Sequence, residues 1–461
     1  MIRNHDTADI NTRLPDSLNR IRGILPPLGL AYIASSLERA NHEIKIVDAQ
    51  IENLNLSDIQ NTIKNFNPVL IGITTMTSNF RGALEVAKLA KDNNKITLVG
   101  GPNLEVFPEE TLSYDSIDFG ILGEGDVSIV KFVEALENKS SFENIPGLAY
   151  KKDNKIIVNP PELIQNIDEL PFPARHLLPI NKYSSLISQD PMTTMITSRG
   201  CPYKCSFCFK QHADTKARFR DPISVVDEIE SLVINNRIKE VMFYDDTIVT
   251  KRTHIEGICR ELIKRKLKIR WESPSRVNSI DLDLLKLMKQ SGCIRLRYGV
   301  ESGDESILKE MNKQITGDQV KNIFKLTRSV GIESFAYFMT GYLNESRKMF
   351  ENTMKLIKEI SADQIMITLT TPYPKTALEK NAIKLNMMPE DYWKDFILGK
   401  INYPLPPLVK GSEKWIKEAY RSFYFRPTYI CGRLRHIKTF NQLKKHIQAA
   451  MALLVFKVRN N

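Results

Sequence analysis

Three thiols stand within eight residues, in the run Gly200-Cys201-Pro202-Tyr203-Lys204-Cys205-Ser206-Phe207-Cys208. Spacings of four and three allow all three side chains to face inward from one loop. Soft sulfur donors of this kind select iron–sulfur clusters, zinc or copper(I). A cubane of four irons on three protein thiolates leaves one iron open to a further ligand. The competing reading is a zinc loop, with His212 four residues beyond Cys208 as fourth donor. No cysteine precedes Cys201, and Cys259, Cys293 and Cys431 are scattered, so they read as core thiols rather than as a disulfide scaffold.

A loop of that kind needs a frame to aim it. Over 461 residues, 42% are hydrophobic and 26% charged, which suits a globular chain of two or three domains. Residues 1–145 alternate short apolar runs (43–47, 69–74, 95–99, 118–122) with helical patterns (28–41, 56–65, 79–93, 126–137). Such βα alternation builds a mostly parallel, Rossmann-like sheet whose ligands sit beyond the strand carboxyl ends. Residues 147–158 read as a hairpin turning at Asp153-Asn154. With the proline-rich stretch that follows, they make residues 146–190 an expected linker.

Residues 191–400 repeat the βα pattern, with strands at 193–198, 240–244, 268–272, 294–300, 333–338 and 364–370. Helical patterns at 224–235, 253–266, 281–290, 316–329 and 346–359 fill the gaps. The series gives a doubly wound sheet or a partial (β/α)6 barrel, and in a barrel chemistry belongs at the strand C-terminal ends. The thiol loop follows the first of these strands. Residues 401–461 read as a helical, basic C-terminal segment. From Gly411 onward, eleven Lys and Arg face only Glu413 and Glu418, in a chain of net charge +11. Charge gathered in a tail argues against a general nucleic-acid binder.

The pattern Cys-x-x-x-Cys-x-aromatic-Cys after a strand resembles the signature of the radical S-adenosylmethionine (SAM) superfamily, with Phe207 in the aromatic slot. The resemblance implies a 4Fe-4S cluster on Cys201, Cys205 and Cys208, with SAM chelating the open iron. It also implies reductive cleavage of SAM to methionine and a 5′-deoxyadenosyl radical, the electron coming from a carrier such as flavodoxin or ferredoxin. Family roles then fall on the strand ends. Asp245 and Asp246 suit the SAM ammonium; Ser273 and Arg276 suit its ribose and carboxylate. Glu301 lies in Gly299-Val300-Glu301-Ser302-Gly303, which resembles the family's Gly-x-Glu-Ser-Gly segment. Thr371–Thr376 resembles a Pro-Tyr-Pro-Gly-Thr turn, with Lys375 in place of Gly.

Pro26–Tyr32, Val99-Gly100-Gly101-Pro102 and Gly123-Glu124-Gly125-Asp126 resemble the Rossmann-like cobalamin-binding domain of cobalamin-dependent radical SAM enzymes. That resemblance places cobalamin against Gly100, Gly101, Gly123, Glu124 and Gly125. No Asp-x-His-x-x-Gly stretch offers a lower cobalt ligand. Met1–Ile21 is polar and shows no apolar strand, so the strand with which members open is expected either to lie ahead of Met1 or to be lost.

The combined resemblance implies a cobalamin-dependent radical SAM methyltransferase acting on an unactivated carbon. Cyclisation or rearrangement without methyl transfer fits the same architecture. RNA methylthiolation shares the barrel but brings further N-terminal cysteines, and a cobalamin-binding sensor would need no SAM pocket. Ala419–Pro427 resembles the end of several members. Beyond it Ile437, Phe440, Leu443, Ile447, Met451 and Leu454 mark one helical face, with Lys438, Lys444 and Lys445 off it. Such a helix packs on the barrel, or lies on an anionic membrane and hints at a lipid-like small-molecule substrate. Residues 1–22 lack the apolar core of a signal peptide and no run of 18 apolar residues occurs, so a cytoplasmic protein, at most peripheral to a membrane, is expected.

Overall fold

The computed structural model describes residues 1–3, 24–185, 187–210, 216–401, 405–427 and 429–430. The N-terminal sheet contains β1 (Ile2–Arg3), β2 (Val47–Asp48), β3 (Leu70–Thr74), β4 (Ile96–Gly100), β5 (Phe119–Ile121), β6 (Leu148–Lys152) and β7 (Lys155–Val158), in the order β2-β1-β3-β4-β5-β6-β7. Pairing is parallel from β2 to β5 and antiparallel thereafter. The helices between them are locally specified. Asn55 and Asp58 form a reciprocal capping box at the start of Leu56–Phe66, and Asn67 ends that helix in the left-handed region.

Three expectations change here. The opening strand is present: Ile2, 3% exposed, and Arg3 fill the gap between β2 and β3. The strand expected over 43–47 shrinks to Val47–Asp48, which pairs with Ile2–Arg3, while Met1 N donates to Lys45 O at 2.7 Å just ahead of it. The 147–158 hairpin does turn at Asp153-Asn154, both with positive φ, but it extends the sheet through β5 instead of joining a linker. The stretch after it is also pinned. The Arg175 guanidinium meets Glu228 at 2.6 Å, and the Tyr183 hydroxyl donates to Asp48 at 2.7 Å.

The second sheet is an open six-stranded barrel. It comprises β8 (Met192–Met195), β11 (Glu240–Phe243), β12 (Arg270–Ser275), β13 (Cys293–Glu301), β14 (Glu333–Thr340) and β15 (Gln364–Leu369), in the order β15-β14-β13-β12-β11-β8 with every pair parallel. A separate hairpin, β9 (Ser198–Arg199) with β10 (Arg218–Phe219), stands at the end of β8. Helices Pro222–Asn236, Arg252–Lys264, Leu282–Gln290, Gly317–Ser329 and Arg347–Glu359 cover the outer face, burying Trp271, Tyr298, Phe324 and Phe338. Across β12, β13 and β14, Glu272 is held by Arg295 at 2.8 Å and Arg297 at 2.7 Å, and Arg297 reaches the Tyr337 hydroxyl at 3.0 Å.

Helix Glu413–Tyr424, which carries most of the Ala419–Pro427 motif, lies along β15. There the Tyr420 hydroxyl accepts from Ile367 N at 3.1 Å and donates to Ile367 O at 3.2 Å. Tyr424 does the same for Ile365, at 3.1 and 2.8 Å. The two sheets also share a core: Phe80, Leu104 and Leu112 pack in one cluster with Tyr342, Leu378 and Trp393. Among the described residues no helix is long and apolar enough to cross a membrane. The helical face expected over 437–454 lies outside them.

Candidate active site

The β9–β10 hairpin is the stem of the thiol loop, and the barrel fastens the loop from several sides. Ser206 N donates to Met311 O at 3.0 Å, Leu378 N donates to Ser206 O at 2.8 Å, and Ser206 Oγ lies 2.8 Å from the Tyr342 hydroxyl. Asn312 Nδ2 reaches Lys204 O at 2.7 Å, and Lys210 Nζ reaches Cys201 O at 2.8 Å and also Tyr203 O. Phe207 packs against the shared core, with the Lys313 ammonium 5.8 Å from its ring centroid. Cys201 and Cys205 are half-buried, Cys208 is exposed, and none forms a disulfide.

Although Cys208 has an exposed surface, the protein packed around it withdraws enough solvent to push its thiol up to about 11, with the neighbouring Cys205, Asp246 and Cys201 adding to the rise. Without iron the thiol therefore stays neutral at ordinary pH, and binding a metal releases its proton. Lys210, Arg276 and Lys313 surround the loop and offset the charge three thiolates would bring. Among the described residues no three His, Cys, Asp or Glu converge on a single ion, and His212 lies outside them. Cubane corners need three separate thiolates rather than one shared point, so the donor set fits a cluster.

The strand ends hold the remaining candidates, with several changes of role. Asp245 is 3% exposed, and its Oδ1 accepts from Thr197 N at 3.0 Å, Thr197 Oγ1 at 2.9 Å and Ser198 Oγ at 2.5 Å. It ties β11 to the base of the thiol loop and does not open towards a ligand. Asp246 lines the cavity described below, beside Tyr244, which is 58% exposed. Burial raises the Asp246 carboxyl above its ordinary value against the pull of Lys210 and the Gly200 N–H.

Arg276 does not offer a free fork for a carboxylate. Its guanidinium lies 3.7 Å from the Tyr203 ring centroid and donates to Lys313 O, with Nη1 3.8 Å from Cys205 Sγ. Ser273 Oγ is taken by Pro274 O at 2.8 Å. Ser275, at the end of β12, has a buried hydroxyl without a partner, as do Thr194 and Thr370. Glu301 turns into an ion pair with Lys313 at 2.7 Å. A side chain at Gly299 would meet its Oε1 at 2.5 Å and Lys313 Nζ at 2.8 Å, so it would press on this ion pair.

A cavity of about 1540 Å³ joins the two sheets, beyond the 300–1,000 Å³ usual for a small ligand. Cys201, Cys208 and Asp246 stand on one side; Gly100, Gly101, Gly123, Glu124 and Gly125 stand on the other. Gly101 has φ +111, and a Cβ there would lie 2.6 Å from Thr75 O, so the turn closes tightly on Thr75 and admits only glycine. A bulky planar cofactor such as cobalamin fits this glycine-lined wall. Glu124 departs from its expected part. Burial alone would raise its carboxyl, but Arg218, Arg199 and the Ile164 N–H outweigh that and hold it below its ordinary value. Its side chain is spent on arginines, and only its backbone is left for a ligand.

Sequence reasoning missed Arg199, Arg218, Lys313, Tyr203 and Ser275. Arg199 adjoins the motif, but the partners of both arginines lie 73 and 94 residues away, which no local spacing reveals.

Comparison with known proteins agrees with this geometry. Residues 195–357 match the radical SAM superfamily model and residues 17–133 the B12 binding domain model. The chain is 35% identical over 433 residues, 90% of its own length and 92% of the relative's, to an uncharacterised methyltransferase of Pyrococcus horikoshii. It is 29% identical over 365 residues, 77% of this chain and 66% of the relative, to the anaerobic magnesium-protoporphyrin IX monomethyl ester cyclase of Rubrivivax gelatinosus. Its fold matches the structure of the radical SAM methyltransferase TsrM from Kitasatospora setae with cobalamin and [4Fe-4S] cluster bound. That match has TM-score 0.69 and 16% identity, covering 83% of this chain and 74% of that one. With both domain models on one chain and the thiol loop and glycine wall sharing one cavity, the protein belongs to the cobalamin-dependent radical SAM enzymes, with a 4Fe-4S cluster, SAM and cobalamin as cofactors.

Proposed function

We propose that this enzyme transfers a methyl group from SAM to an unactivated carbon of a small-molecule substrate, with the electron supplied by an external carrier. The carrying observation is the single cavity that reaches both the cluster thiols and the glycine turns of the N-terminal sheet. A methyl carrier and a radical source are useful together only if one substrate can meet both. The methyltransferase relative at 35% identity supports the same reading. When bound, the cluster with SAM supplies a radical and cobalamin supplies a methyl carrier.

The chain's own residues supply holding and exclusion. Cys201, Cys205 and Cys208 take three irons, while Asp246 and the hydroxyls of Ser275 and Thr370 stand at strand ends suited to the polar groups of SAM. Gly100, Gly101, Gly123 and Gly125, which line the cavity on the other side, would hold cobalamin. The Phe207 ring, packed against the shared core, anchors the loop on that side. A second reading, ring closure without methyl transfer, is favoured by the cyclase relative.

One experiment separates them. Turnover with SAM carrying a deuterated methyl group should place the label in product, and unlabelled product with SAM consumed would overturn the methyl-transfer reading. Cys205→Ala should abolish both iron retention and SAM cleavage; a variant that still cleaves SAM would remove the basis of the whole assignment.

A further inference from the structure

Two arginines on the stem of the thiol loop grip two carboxylates of the opposite sheet. Arg199 and Arg218 stand directly across from each other in the β9–β10 register. Arg199 holds Asp126 through both terminal nitrogens, at 2.8 and 3.1 Å. Arg218 holds Glu124 in the same way, at 2.7 and 2.7 Å. None of the four side chains is more than 16% exposed. Both acids belong to the turn that leaves β5 and opens helix Gly125–Glu137, and Gly200-Cys201 follows Arg199 immediately.

A third attachment reaches the same turn from behind. The Glu105 carboxylate accepts from Gly123 N, and its carbonyl accepts from Lys375 Nζ at 2.6 Å. Lys375, in place of the glycine of the Pro-Tyr-Pro-Gly-Thr turn that this segment resembles, has left-handed backbone with φ +62 and adds the reach that glycine lacks.

Buried ion pairs add little net stability, because desolvation cancels most of the attraction. Fork-on-carboxylate pairs do fix distance and orientation together. We propose that Arg199 and Arg218 are positioning residues that set the separation and angle between the cluster loop and the cobalamin-side turn. The proposal rests on the cobalamin-dependent reading only in that the cavity must hold both groups. Both arginines also border the cavity, but the role assigned to them runs through the carboxylates they hold, and the loop has separate barrel anchors at Ser206 and Asn312.

The test uses the full chain, reconstituted anaerobically with iron, sulfide and hydroxocobalamin. Pulsed electron paramagnetic resonance measures the distance distribution between cob(II)alamin and the reduced cluster. The unaltered protein should give one narrow distribution. Arg218→Gln and Arg199→Gln should broaden it about twofold, and Arg218→Lys, which keeps the charge without the fork, should fall between. Iron and sulfide content and substrate-free SAM cleavage should stay within about twofold, whereas product formation should drop by about 10²-fold for a displacement near 1 Å.

An unchanged distribution in both glutamine variants would overturn the proposal. So would loss of iron in step with the broadening, since the pairs would then serve only to keep the loop folded. If Arg218→Gln fails to fold, Glu124→Gln, uncharged and of the same shape, carries the same expectations. Absence of label transfer by the unaltered enzyme would sink the methyltransferase reading while leaving the distance measurement decisive for the clasp.

Discussion

Asp245 shows how far residue type alone locates chemistry. Two successive acids at a strand end are legible as a site, and the structure divides them: Asp246 faces the cavity, while Asp245 is sealed beneath the loop. Burial pushes the Asp245 carboxyl up to about 6, although Ser198 and Thr197 donate to it. A folded-state value above the unfolded one means the folded chain keeps its proton longer. Stability is therefore full below about pH 4 and declines as pH rises to about 6, then levels off. Asp245→Asn removes this penalty. Relative to the unaltered protein, the variant should gain up to roughly 3 kcal/mol between pH 4 and 6.5, since each tenfold change in proton affinity is worth about 1.4 kcal/mol. Urea unfolding at several pH values checks this, and a pH-independent difference between the two proteins would refute it. Arg276 carries a similar lesson: its place at the site follows from strand register, whereas its partners, Tyr203 and Cys205, come from a loop 71 residues away.

Elements were legible wherever pairing and periodicity agreed. The strands β3, β4, β5, β11, β13 and β15 fall within one or two residues of their apolar runs, because each has a full-length parallel neighbour. The edge of the open barrel was not legible at all. An uncovered edge strand invites pairing with another chain, and here two hydroxyl groups on successive turns of one helix satisfy both backbone groups of Ile365 and of Ile367. Tyr420→Phe and Tyr424→Phe should each cost about 1–3 kcal/mol, the penalty for unmet buried polar groups. Together they should give concentration-dependent association, read by sedimentation velocity. A double variant that stays monomeric at full stability would show that the hydroxyls do not guard the edge.

At the scale of the molecule, composition and βα order gave the two sheets but not their union. The stretch expected as a linker is pinned at Arg175 and Tyr183, and Phe80 and Leu104 lie in one apolar cluster with Tyr342 and Trp393. Shared burial couples unfolding of the two sheets, so the cofactor-free chain should melt in one calorimetric transition rather than two. Two resolved transitions would show the sheets to be independent.

That common cluster also restricts what recombination can do with this architecture. A chimaera that took its first sheet from one relative and its barrel from another would bring together two halves of an apolar seam shaped for different partners. Either the seam residues travel with the graft, or the hybrid exposes Trp393 and Phe80 and aggregates before any metal is loaded.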